Sequence, residues 1–220
     1  MMKSFMMILS VFILASCQKN IQGADVIQEQ EFKAVVAYQD ASSSNQNFYP
    51  QDPVDASAFE TNISLVDFDF SQEAKVLKAV EILKKVVRSS EFKDKVINFT
   101  YKGKKQFVDN NGLTNMEIYQ KLLEGSEELA PAIDYEMDLE LELYYSRRST
   151  VGYTYPDELK VWINTKFFNV YDSAQVAGNI FHEWTHKLGF EHAYRYSTKR
   201  NASVPYALGY LVEELGKKYL

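Results

Sequence analysis

The sequence predicts an α+β domain built on a twisted mixed β-sheet, with two long helices and a C-terminal helix. Three observations carry this. The stretch DYEMDLELELYY alternates strictly, with Tyr135, Met137, Leu139, Leu141 and Leu143 on one side and Asp134, Glu136, Asp138, Glu140 and Glu142 on the other. That is the period of a half-buried strand. Val76, Leu77, Val80, Leu83 and Val87 recur at helical spacing, and so do Val176, Ala177, Ile180, Phe181, Trp184 and Leu188. Strand and helix signals alternate through about 160 residues, the size of one domain around one core.

The first residues stand apart from that domain. MMKSFMMILSVFILAS places Lys3 before an apolar run from Phe5 to Ala15. The run is too short for a helix that must cross ~30 Å of hydrocarbon with ~20 residues. Residues 1–16 therefore read as a secretory signal, absent from the mature chain. The following LASC resembles a bacterial lipobox, which implies that Cys17 becomes the first mature residue and carries a lipid anchor. An ordinary secretory signal with an incidental cysteine is the alternative. Gln18 is not the aspartate that resembles an inner-membrane retention signal, so the outer membrane is expected, on its periplasmic face or at the cell surface. Cys17 is the sole cysteine, which leaves the folded part no disulfide and no thiolate ligand. A net charge of −6, made more negative by loss of Lys3, argues against nucleic acid as a partner.

Residues 17–60 are rich in Gln, Asn, Ser, Asp and Ala, with a strand suggested only at Phe32 to Tyr38. They read as a polar tether, with a prosegment covering the site as the alternative. One domain, 61–220, follows. Ile63 to Phe70 is expected as a strand and Ser71 to Arg88 as a helix. Val96 to Tyr101 and Lys104 to Val108 flank Lys102 and Gly103 as a hairpin would. Thr114 and Glu117 form a capping box opening a helix that ends at Gly125. The acidic row of DYEMDLELELYY reads as a solvated face, with a cation site as the alternative. STVGYTYP and KVWIN give two more strands around a turn at Asp157 and Glu158. Asp172 or Ser173 caps the next helix and Gly189 ends it. After a loop over 191–204, Pro205 opens a final helix running to Leu220.

HEWTHKLGFEH, from His182 to His192, holds all three histidines of the chain. A helix turns ~100° and rises ~1.5 Å per residue, which puts His182 and His186 one turn apart on the same side. They share that side with Gln175, Asn179 and Glu183, away from the apolar stripe and toward a cleft or solvent. Were the helix to continue, His192 would lie ~9 Å beyond His186 and ~120° around it, too far for a metal bond of ~2.0 Å. Gly189 removes the obstacle, because glycine takes φ > 0 without steric cost and lets the chain turn back. Three neutral imidazoles on Zn²⁺ leave a fourth position open, the arrangement of a reactive zinc. Zinc lowers the pKa of a bound water to ~7, and Glu183 stands to the side, placed to accept its proton and pass it to a leaving amine. A chance HExxH and a plain glycine helix cap are the alternatives.

This segment resembles the HExxHxxGxxH signature of the metzincin metallopeptidases, and the element order from about Ile63 to Leu220 is similar to theirs. The resemblance implies a metzincin-like zincin domain with His182, His186 and His192 as zinc ligands and Glu183 as general base. It also implies that the strand two before the active-site helix, here Gly152, Tyr153, Thr154 and Tyr155, is a sheet edge that pairs with an extended peptide. An ordinary edge strand is the alternative. One departure stands out. Metzincins place a methionine beneath the zinc, and this chain has none after Met137. Val204, Pro205 or Tyr206 of SVPYA must fill that space. In some members a tyrosine beyond the methionine binds zinc or stabilises the oxyanion, which implies that role for Tyr206; a core or surface tyrosine is the alternative. A second zincin reading takes Glu213 or Glu214 as third ligand and leaves His192 and Gly189 unexplained. The expected function is a zinc-dependent endopeptidase anchored to the bacterial envelope, with protein or peptide substrates. The alternatives are a zinc-retaining binding lipoprotein that cleaves nothing, since fold does not imply activity, and a structural lipoprotein without metal.

Overall fold

The computed structural model describes residues 19–22 and 55–220. The signal peptide, Cys17 and the Phe32 to Tyr38 run lie outside the described residues. Strands β1 (Lys19–Gln22), β2 (Glu60–Val66), β3 (Glu136–Tyr144), β4 (Gly152–Thr154) and β5 (Lys160–Asn164) form one sheet in the order β1-β2-β3-β5-β4. Its four strands β2 to β5 are mostly parallel: β2 pairs with β3 and β3 with β5 in parallel, while β4 runs antiparallel along β5. β1 adds an antiparallel strand beside β2. The mixed sheet expected from the sequence is therefore present. β1, together with the fully buried Phe59, falls within the 17–60 stretch read as a tether.

Register follows from the alternation. Met137, Leu139 and Leu141 are buried, and Ile63 lies opposite Leu139, Leu65 opposite Leu141, and Val161 opposite Leu141 on the other side. One sheet face is thus continuously apolar. The acidic row of β3 is half-exposed and not the open face expected, because Lys160 bridges Glu140 and Glu142 and Asn62 donates to Asp138. Tyr135 does not belong to the strand: its φ is 64° and it is exposed.

Helix α1 (Phe70–Val87) opens with Asp69 and Gln72 in a reciprocal capping box, so the strand expected to reach Phe70 stops at Val66. Leu77, expected on the buried stripe of α1, is exposed, and Ala79 and Val86 are buried instead. The expected hairpin is a correction of larger size. Val96 belongs to α2 (Ser90–Ile97), capped by Ser89, with Phe92 and Val96 both buried one turn apart. Only the Lys102–Gly103 turn survives, closed by a single bridge between Tyr101 and Lys104. Strand-forming side chains four apart served helix burial here. Helix α3 (Asn115–Glu124) has its capping box at Thr114 and Glu117 and ends at Gly125. Helix α4 (Thr165–Phe168) is short. Helix α5 (Ser173–Lys187) is capped by Asp172. The loop expected over 191–204 contains helix α6 (Thr198–Asn201), and α7 (Val204–Gly216) carries Pro205 in its first turn before a last 3₁₀ turn to Tyr219.

α5 packs against both α1 and α7. At its crossing with α7 the two backbones nearly touch: a Cβ on Gly178 would meet the Gly209 carbonyl at 2.6 Å, and one on Gly209 the Gly178 carbonyl at 2.9 Å. On its other side α5 buries Trp184, whose indole N–H donates to Glu127. The Glu127 carboxyl is wholly buried, also accepts from the Asp138 N–H at 3.1 Å, and has Oε2 without a partner. Desolvation raises its pKa to about 7.

That shift has a sign. Between the ordinary carboxyl value and about 7, the unfolded chain has released this proton while the folded chain holds it. Stability must therefore fall as pH rises through that window and level off above it. With 1.36 kcal/mol per unit, the effect is on the order of 3 kcal/mol. Thermal unfolding of Glu127→Gln against the native protein is expected to show the variant gaining relative stability from pH 5 to pH 8. Parallel curves would remove Glu127 as the cause.

Candidate metal centre

The three histidines come together through a helix ending. Gly189 sits at φ 82°, the Gly189 N–H donates to the His186 carbonyl at 3.0 Å, and the Phe190 N–H to the Thr185 carbonyl at 3.1 Å. This is the Schellman pattern, with Phe190 buried as its hydrophobic contact. Asn111 holds the bend from outside by donating to the Gly189 carbonyl at 2.8 Å. Ring centroids lie 5.3 Å apart for His182 and His186, 5.2 Å for His182 and His192, and 4.9 Å for His186 and His192. One ligating nitrogen from each falls within 4.8 Å of the others.

Each ring also has a backbone partner for its other nitrogen. His186 Nδ1 donates to the Phe190 carbonyl at 2.7 Å, His192 Nδ1 faces the Ala193 carbonyl at 3.2 Å, and a His182 N–H bonds the Pro205 carbonyl. The bend that returns His192 thus also orients His186. Such bonds select the tautomer and leave the remaining lone pair for a cation. Burial lowers all three imidazoles: His182, with the other two rings beside it, falls well below its ordinary value, His186, with His192 beside it, to about 4, and His192, near the Arg200 charge, is lowered too. The group is one that can hold a metal ion.

Glu183 is buried beside this group, in the same cleft. Desolvation raises its pKa to about 8, opposed by the Lys187 charge and a hydrogen bond from Asn179. Asn179 precedes Glu183 by one turn on the cleft side of α5, a place the sequence showed without assigning it a part. The edge strand lies directly over the pair. A Cβ on Gly152 would stand 2.9 Å from Glu183 Oε1 and 3.1 Å from Asn179 Oδ1. Absence of a side chain lets β4 approach this closely. Of the four edge residues expected, Gly152, Tyr153 and Thr154 form the strand and Tyr155 follows it. Lys187, at the end of α5, donates to the carbonyls of Tyr155 and Glu158 and pins the β4–β5 turn to the helix.

No family model, curated protein or solved structure matches this chain.

Tyr206, from α7, packs against the histidine group. Its ring centroid is 4.5 Å from His182 and 4.6 Å from His192, and Val204 and Pro205 are buried beside it in α7. Glu213 lines the far part of the cleft, but neither it nor Glu214, which pairs with Lys95, joins the histidine group. The cleft encloses ≈ 1070 Å³ between α5, α7 and the β3–β4 segment. This is at the top of the range of about 300–1,000 Å³ that suits single small ligands.

Proposed function

We propose that the protein is a zinc-dependent endopeptidase of metzincin type, held at the bacterial envelope by a lipid on Cys17. Its substrates are protein or peptide chains. One observation carries the reading: three histidine nitrogens within 4.8 Å of one another share a cleft with a buried carboxyl under a strand edge. Three neutral imidazoles without a thiolate suit zinc with an open position. Bound there, zinc supplies Lewis acidity toward a carbonyl oxygen and makes water acidic near neutral pH.

The chain's own groups do the rest. Beside a divalent cation on the histidines, Glu183 is favoured in its ionised form, and it then takes the proton of the attacking water and returns it to the leaving amine. Asn179 holds that carboxyl in place. Among the described residues β4 is bonded to β5 along one side only, so its other side offers backbone groups to an extended substrate. Tyr206, packed on two of the histidine rings, supports the ligand set from α7.

Zinc content and cleavage of a mixed peptide pool test this on the purified protein. About one equivalent of zinc and cleavage that stops with chelator and returns with zinc are expected. A protein that holds zinc and leaves the pool intact is a binding protein, and one that holds none is neither. Gly152→Ala is expected to lower cleavage by about tenfold or more with zinc retained, since a 1 Å misplacement of a catalytic group can cost ~10²-fold. Unchanged cleavage would show that Glu183 yields without loss. Mass spectrometry of the mature terminus tests the anchor, and an unmodified Cys17 would remove it.

A further inference from the structure

We propose that Arg200 receives a carboxylate of the substrate, one aromatic ring away from the three histidines. The inference rests on the peptidase reading and names the chemistry of its substrate. Arg200 lies on α6 and lines the same cleft. Its backbone is fixed from both sides: its N–H donates to Ser197 Oγ at 3.0 Å, and its carbonyl accepts from the hydroxyl of the fully buried Ser203 at 2.7 Å. The guanidinium stands 4.3 Å from the Tyr206 ring and 5.1 Å from the Tyr196 ring. Tyr206 in turn touches His182 and His192.

What the guanidinium lacks is an anion. Among the described residues no carboxylate forms an ion pair with it, and its Nε is buried without a hydrogen-bond partner. A guanidinium is a planar fork of donors that matches a carboxylate in two parallel bonds. Here the two tyrosines hold the fork by cation–π contact and leave its donors unused. The cleft otherwise carries Glu191 and Glu213, which repel an anionic substrate. Of the two arginines that line the cleft, Arg148 is exposed, while Arg200 is half-buried against Tyr206. An extended chain advances ~3.3 Å per residue, so a carboxylate bound one ring's breadth from the metal group belongs to a residue about two positions from the bond under attack. That carboxylate is either the substrate's own C-terminus or an acidic side chain.

Equilibrium binding of peptide pairs separates these cases. The full chain, zinc-loaded and carrying Glu183→Gln so that nothing is cleaved, is titrated with one peptide bearing a free or an amidated C-terminus. A second pair carries Glu or Gln near its centre. At least one free-acid or Glu peptide is expected to bind tenfold or more tightly than its neutral twin, and the pair that shows the difference names the source. Adding Arg200→Gln should bring that ratio to within twofold of one, and Arg200→Lys should restore part of it. Equal binding within both pairs, no binding of any peptide, or an Arg200→Gln variant that weakens both twins alike overturns the proposal, the last showing that Arg200 only props Tyr206. Carboxylate preference in a protein whose native form cleaves nothing would sink the peptidase reading alone; cleavage without preference would sink this inference alone.

Discussion

Glu183→Gln is expected to slow peptide hydrolysis by about 10³-fold while zinc binding stays near native. A positioned general acid–base group contributes ~10²–10⁴-fold, and glutamine keeps the shape but cannot shuttle a proton. The metal should remain because the donor group consists of His182, His186 and His192 and does not include Glu183. His186→Ala is the matching opposite case. It removes a donor and opens the Phe190 carbonyl that His186 now satisfies, so zinc and hydrolysis should be lost together. Zinc analysis beside single-turnover cleavage distinguishes the two variants. A Gln variant with native turnover would take the proton transfer away from this residue.

The second large effect is on stability and lies outside the cleft. Gly209→Val should cost about 3 kcal/mol or more, the upper part of the range for overpacking a tight core. In an exposed helix, replacing glycine gains up to ~1 kcal/mol, so helix propensity pulls the other way. Sterics win at this position. The first added carbon would already meet the Gly178 carbonyl at 2.9 Å and His182 Cβ at 3.0 Å, and neither can swing away as a flexible side-chain end can. For a domain of this size the loss corresponds to roughly 6–12 °C in melting temperature. Because His182 stands at the same contact, weakened zinc binding should accompany the lower melting point. A variant melting with the native protein would show that α5 and α7 separate freely.

How far the sequence could be read depended on how local each determinant is. The capping boxes at Thr114 and Glu117 and the cap at Asp172 are complete within four residues, and both helices start there. The strand alternation through Met137, Leu139 and Leu141 needs no knowledge of the partner strands. At Val96 local reading failed. The same valine satisfies a strand pattern toward Tyr101 and a helical spacing from Phe92, and its burial against the rest of the core selects the helix.

At the site the division is the same. Residues 182–192 by themselves determine that three imidazoles can meet, since helical pitch and one glycine bend act only on neighbours, and one nitrogen from each does fall within 4.8 Å of the others. Only the tertiary structure decided what surrounds them: Tyr206 on the rings, Arg200 on Tyr206, Gly152 over Glu183, and the glycine contact between α5 and α7. These join residues far apart along the chain. Their effects come through exclusion of water and contact at van der Waals distance, which no short-range periodicity encodes.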